Sequence, residues 1–170
     1  MRNGRPESGK PRRKEVAWYD PATLVAASAQ LPGRAFMQAL ADGELPPPPM
    51  GALVGLRLAS VGDGESRFLY SPDESASNPQ GVAHGGLVCT LLDFAAGAAV
   101  QTRLPAGVGY SSIEIKVSFL KAIRSSDEEI EIRGEALRVG RQVAFAQAHA
   151  RNERGELVGH APSSLAVHRP

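Results

Sequence analysis

Between Asn78 and Asp93 the chain reads Asn-Pro-Gln-Gly-Val-Ala-His-Gly-Gly-Leu-Val-Cys-Thr-Leu-Leu-Asp, a polar, glycine-rich loop running straight into an apolar stretch with a single acid. Those residue types suit activation of a carbonyl group. The first N–H groups of a helix lack intrahelical partners, and Gly85 and Gly86 have no side chain to keep a ligand oxygen away from them. A carbonyl oxygen placed there would be polarised. Asp93 follows Gly86 by seven positions, about two helical turns, so the two project from roughly the same face. Flanked by Leu91, Leu92, Phe94 and Ala95, the acid has little polar surface to occupy. Burial disfavours a charged carboxylate, which suits a group that takes a proton from water or attacks a carbonyl. Taken alone, a glycine pair at such a junction reads as turn and cap, and a lone histidine such as His84 reads as structural. The buried-looking acid beside them favours the functional reading.

A helix must hold these groups. Leu87, Val88, Leu91, Leu92, Phe94, Ala95, Ala98, Ala99 and Val100 make it apolar nearly all round, and such a helix lies inside a core. Upstream, Pro21–Ser28 and Gly33–Ala41 read as short helices, placed either over one end of a ligand pocket or simply against a sheet. The run Pro46 to Pro49 cannot join a ladder and marks the boundary to a first strand, Leu53 to Val61, followed by a second, Glu65 to Ser71. After the helix, alternation marks Ser112–Leu120, Glu128–Val139, Gln142–Arg151 and Glu156–His168 as successive strands. Their links are too short for parallel crossovers, so the sheet is largely antiparallel. Strands on both sides of one buried helix, without a βαβ rhythm, define an α+β order. In Ser112–Leu120, Ile113, Ile115, Val117 and Phe119 form the apolar face, and Ser112 shares the other with Glu114, Lys116 and Ser118.

The pattern Asn–x–x–Gly–x–x–His–Gly–Gly, then six residues and an Asp, resembles the signature of PaaI-type acyl-CoA thioesterases of the hotdog superfamily. The likeness runs from about Gly33 to the C-terminus and takes in Glu44-Leu45-Pro46-Pro47-Pro48-Pro49, the strand Ser112 to Leu120, and Gly155-Glu156-Leu157-Val158. It implies a curved antiparallel sheet of about five to six strands wrapped around a long central helix, with active sites formed between two subunits. It further implies that Asp93 acts as general base or nucleophile on a thioester, that the Gly85 N–H holds the carbonyl oxygen, and that Asn78 orients the loop and the attacking water. Ser112 falls where a serine or threonine often assists, with Ser111 beside it. His84 and Gly86 border the same loop and count, with Ser111, as substrate contacts. Hydratases of this fold carry a His a few residues after the acid; here Phe94-Ala95-Ala96-Gly97-Ala98-Ala99 follows, which disfavours dehydration chemistry.

Coenzyme A would bring phosphates. Arg138 and Arg141, flanking the turn at Gly140, are candidate contacts, and Lys121 with Arg124 forms a second pair; ordinary surface charge is the plainer reading of both. The 170 residues, net charge +1 and 42% hydrophobic content suit one domain, taken as 16–170, with an adequate core. Residues 1–15 carry Arg2, Arg5, Lys10, Arg12, Arg13 and Lys14 with little to bury, and read as a disordered basic tail. Without interleaved aromatics that tail gives no expectation of nucleic-acid binding. Cys89 stands alone and reads as a small packing residue; His149, His160 and His168 lack metal-ligand spacing, and neither metal nor other cofactor is expected. No apolar run is long enough to span a bilayer and the N-terminus has no signal-peptide core, so a cytoplasmic protein without membrane contact is expected, self-associating as a dimer or tetramer. Two functions stand at this point: hydrolysis of an acyl-CoA, or a non-catalytic acyl-CoA-binding or ligand-sensing module on the same fold.

Overall fold

Three short helices open the chain in the computed structural model, which describes residues 9–169: α1 (Ala22–Gln30), α2 (Gly33–Ala41) and α3 (Pro49–Val54). The third replaces the start of the strand expected at Leu53. Pro48 stands at its N-cap and Pro49 at its first position, where a fixed φ and a missing N–H cost a helix nothing. Gly55, left-handed at φ 72°, ends it, and the first strand begins one residue later. Of the basic tail, residues 1–8 lie outside the described part. The described remainder has no regular structure through Asp20, yet Arg12 pairs with Glu74 and Lys14 with Asp73. Hydrogen bonding from Lys14, then from the Ser75 N–H, holds the Asp73 carboxyl down at about 2.

The sheet has seven strands: β1 (Leu56–Gly62), β2 (Glu65–Tyr70), β3 (Gly109–Ile115), β4 (Ser118–Phe119), β5 (Ile130–Val139), β6 (Val143–Arg151) and β7 (Leu157–His168). Every pairing is antiparallel, in the order β1-β2-β5-β6-β7-β3, with β4 also on β7. Five or six strands become seven because the segment expected as one, Ser112 to Leu120, is split at Lys116 and Val117. Opposite the break stands Pro162 of β7. Its carbonyl accepts from the Lys116 N–H, so the side of Pro162 that faces this segment is the side where a backbone donor is missing, and the ladder cannot continue.

The long helix α4 (Gly85–Gln101) runs across the concave face of this sheet. Leu91, Leu92, Ala95, Ala96, Ala99 and Val100 are fully buried, against Ile130 and Ile132 of β5 and Leu165 of β7. Small residues let backbone approach backbone. A Cβ on Gly134 of β5 would lie 2.0 Å from the Ala95 carbonyl oxygen, and Ser66 of β2 donates a hydrogen bond to that same oxygen at 2.8 Å. Among the described residues, no helix is long and apolar enough to cross a membrane.

The contact at Gly134 is rigid on both sides, backbone against backbone. Gly134→Ala is therefore expected to destabilise the fold by about 3 kcal/mol, whereas Gly109→Ala, where the added methyl meets nothing within 4 Å, stays within about 0.5 kcal/mol. Urea unfolding of both variants measures the difference.

Candidate active site

The loop ahead of α4 is built around Asn78. Its Oδ1 accepts from the N–H of Gln80 at 2.9 Å and of Val82 at 3.3 Å, while its backbone exchanges bonds with Val82 and Gly81. Gly81 takes the left-handed conformation, φ 75°, that closes this turn. The loop is then pinned at its far end: Ala83 N–H donates to Ile123, and His84 N–H to Ala76. Asn78 thus shapes the loop through its carbonyl oxygen.

His84 is the N-cap of α4. Its Nδ1 accepts from the Gly86 N–H at 2.9 Å, which requires that nitrogen to be unprotonated and puts the proton of the neutral ring on Nε2. The two glycines are thereby distinguished. The Gly86 N–H is engaged by His84, whereas the Gly85 N–H has no acceptor within reach among the described residues. The ring of Phe119 stands over Gly85, 3.3 Å from where a Cβ would be.

Asp93 is half-buried on α4, less enclosed than its apolar neighbours imply, because its carboxylate turns toward β3. There the Ser112 hydroxyl donates to its Oδ1 at 2.6 Å, a charge-assisted bond that fixes the carboxylate's direction. Simple alternation puts Ser112 on the face opposite Ile115 and Val117. The structure corrects this. The β3–β7 register pairs Ser112 with Leu165 but Glu114 with Ser164, leaving Ile113 as the extra residue of a bulge. Ser112 and Ile115 consequently stand opposite the buried Leu165 and Ser163, both turned toward the helix, and Ile113 is 61% exposed. Ser111 points the other way and meets His168 Nε2 at 2.7 Å, so it does not join the Asp93–Ser112 pair of its own chain.

Tyr110, two residues before Ser112, belongs to this neighbourhood and is not singled out by any sequence pattern. Its ring lies against Gly97, where even a methyl group would collide with it at 2.3 Å. Burial, and next the negative charge of Asp93, push the Tyr110 hydroxyl well above the ordinary tyrosine range, so it stays a protonated donor. Tyr110 and Phe94 form one wall of an apolar cavity of about 1020 Å³ that extends under α2 and α3. Arg138 and Arg141 lie elsewhere. Arg103, just past the end of α4, donates to the Ala136 carbonyl at 2.9 Å, which places the β5–β6 turn beside the C-terminal end of the helix, away from Gly85. Both arginines are exposed and their guanidinium groups have no partner among the described residues. Of the second basic pair, Lys121 is engaged with Glu156.

Along α4, Gly85 and Asp93 are eight positions apart, about 12 Å of helix axis. A donor and an acid so separated do not touch the same small group within one chain.

Residues 80–159 match the thioesterase superfamily. A proposed esterase of Halobacterium salinarum is 31% identical over 101 residues, which span 56% of this chain and 65% of that protein, just under two thirds of its length. Among solved structures, the E. coli PaaI protein of the phenylacetic acid degradation operon superposes with a TM-score of 0.69 at 17% identity, covering 82% of this chain and 97% of its own. A hypothetical thioesterase of Streptococcus pneumoniae, solved with coenzyme A, gives 0.61 at 26% identity, covering 66% and 85%. The chain has the hotdog fold of these structures, and the stretch that matches the thioesterase superfamily takes in most of the Asn78–Asp93 motif.

If the ring of His84 serves mainly as a cap, a residue that caps equally well must replace it. His84→Ala is expected to lose about 1 kcal/mol of stability and His84→Asn to retain most of it. Thermal unfolding of the two variants beside wild type decides the point.

Proposed function

We propose that the protein hydrolyses acyl-CoA thioesters to a carboxylic acid and free coenzyme A. The observation that carries this reading is the Asp93 carboxylate, aimed by Ser112 and one residue before Phe94, which lines a largely apolar cavity large enough for an acyl group. The open Gly85 N–H supplies the complementary part, a donor for the thioester oxygen at the N-terminal end of a helix. Thioesterase-superfamily relatives, one of them a structure holding coenzyme A, support the reaction class.

In the proposed course, water bound at Asp93 gives up a proton to the carboxylate as its oxygen bonds to the carbonyl carbon. Negative charge gathers on the carbonyl oxygen, facing the Gly85 N–H. Collapse of the tetrahedral adduct breaks the C–S bond, and the departing sulfur takes the proton back from Asp93. Direct attack by Asp93 is the other course open to the same group, through an acyl anhydride that water then cleaves. Label found in the Asp93 carboxylate after a single turnover in oxygen-18 water identifies direct attack, with water cleaving the anhydride at the aspartyl carbonyl. Protein groups and water suffice for either course, without metal or redox cofactor.

The 12 Å between Gly85 and Asp93 bears on assembly. For both to act on one carbonyl, Gly85 of one copy must face Asp93 of another, which makes the active unit at least a dimer with two equivalent sites. Asn78 holds the oxygen-binding loop in shape, His84 and Gly86 border it, and Arg138 and Arg141, free and exposed, are the proposed contacts for the phosphates of coenzyme A. Ser111, turned outward in its own chain, is available only to a ligand reaching the other face of β3. A cytoplasmic site of action fits such a substrate.

Release of free thiol from a panel of acyl-CoAs tests the reading. Asp93→Asn is expected to lower kcat by about 10²–10⁴-fold, and Ser112→Ala, which only frees the carboxylate to turn, by about tenfold. No thiol release by wild type on any acyl-CoA would favour the binding module instead.

Gly85 offers a cleaner test of the oxygen donor. It occupies the first helical position and His84 before it is extended at φ −62°, ψ 137°, so Gly85→Pro removes the N–H in a backbone both residues can adopt, with the exposed Phe119 ring giving way to the added side chain. An expected loss of about 10²–10³-fold in kcat, with the helix intact by circular dichroism, identifies the donor. Co-refolding Gly85→Pro with Asp93→Asn should then restore activity that neither has alone; no restoration would exclude a site shared between copies.

A further inference from the structure

The cavity beside the candidate site ends on a polar group for which the thioesterase chemistry has no use. Phe94, Ala98 and Gln101 are spaced i, i+4 and i+7 on α4, so they form one stripe along the helix, and all three line the cavity. Phe94 adjoins Asp93 at one end. Gln101 stands about 10 Å further along the axis at the other. It is 8% exposed, and among the described residues its side-chain amide makes no hydrogen bond. No side-chain polar atom there is sealed off without a partner, so the amide's free valences open into the cavity itself.

Such an amide takes its hydrogen bonds from whatever occupies the cavity, water or ligand, whereas a leucine at this position would need none. The remaining wall is largely apolar and partly aromatic, with Phe36 from α2, Phe68 from β2 and Tyr110 from β3, and Glu44, Arg57 and Glu129 add charged groups to the lining. At about 1020 Å³ the space is at the upper end of ordinary ligand sites, more than a short acyl group or a single ring would fill. The α2 lid over Gln101 is fixed: the Gly33 N–H donates to the Leu104 carbonyl at 2.9 Å, and a Cβ on Gly33 would lie 1.8 Å from the Gln101 carbonyl oxygen.

From this we infer that the cavity takes an extended aliphatic acyl group carrying a hydroxyl or carbonyl oxygen at its far end, with Gln101 as the hydrogen-bonding partner that selects for that oxygen. The chain lies along the Phe94–Ala98–Gln101 stripe, its thioester end near Asp93 and its oxidised end at the amide. The inference rests on the proposed thioesterase reading and adds the substrate class. Reactions that oxidise the distal carbon of an aliphatic acyl chain would supply such substrates.

The test compares decanoyl-CoA with 10-hydroxydecanoyl-CoA on wild type, Gln101→Leu and Gln101→Met. Wild type is expected to favour the hydroxylated thioester by about tenfold in kcat/KM, the worth of one well-made hydrogen bond in an apolar site. Both variants should lose that preference, falling on the hydroxylated substrate while holding or improving on the plain one. A merely structural glutamine would lower both substrates in parallel. Equal turnover of the two by wild type, or a preference that survives in Gln101→Leu, overturns the inference and leaves the thioesterase reading intact. If wild type releases no thiol from either, the thioesterase reading fails instead, and calorimetric titration with the free acids decides the cavity. Tighter binding of 10-hydroxydecanoic than of decanoic acid, lost in Gln101→Leu, upholds it; equal binding, or none, overturns it.

Discussion

A helix that is apolar on every side has to be enclosed on every side, and most of the architecture follows from enclosing α4. One flat sheet covers one face of a helix. To reach further round, this sheet curves, and its register slips in β1, β3, β5 and β7, where extra residues bend the strands. The helix meets it halfway by being thin: the run Ala95-Ala96-Gly97-Ala98-Ala99 has almost no side chain to hold the strands off. Gly134 and Ser66 come down onto the Ala95 carbonyl, and the hydroxyl end of Tyr110 lies against Gly97. What the sheet leaves uncovered, α2 closes, with the cavity between.

Enclosure also separates the chemical groups. The helix start is held by its own capping histidine and by a loop wound around Asn78, and one N–H, that of Gly85, is left over. The acid lies two turns deeper, where β3 can reach it with a hydroxyl. Each group is positioned by local contacts that need no partner chain, yet the distance between them is too great for one carbonyl. A fold of this kind supplies two halves of a site in fixed places, which is why the proposed reaction calls for a second copy.

Much of this could be read in the sequence, because it depends on local patterns. The apolar all-round helix, the short links that force antiparallel pairing, and the loop-to-helix junction are statements about neighbours in the chain, and the α+β order followed from them, while the wrapping of a curved sheet around the helix came with the resemblance of the motif. The failures came where a distant strand decides. Pro162 interrupts the strand expected from Ser112 to Leu120, and nothing near Lys116 announces it. Pro49 begins a helix where a boundary to a strand was the simpler reading. His84 and Gly86 form a pair that consumes one of the two N–H groups, a competition visible only with the ring in place. Tyr110 and Gln101, the residues that tie the acid's surroundings to the cavity, stand at positions with no motif around them; Gln101 could have been noticed only as a polar residue closing an apolar helix.

The slip at Ile113 has a consequence for anyone tracing kinship through this strand. Two serines stand side by side, and the frame of the strand, not its composition, decides which of them meets the acid. A relative lacking the extra residue would present its inward hydroxyl one place along, and an alignment drawn without a gap there would equate Ser112 with a side chain on the opposite surface. Homology at this position has to be scored by the direction of the Cβ rather than by the letter in the column.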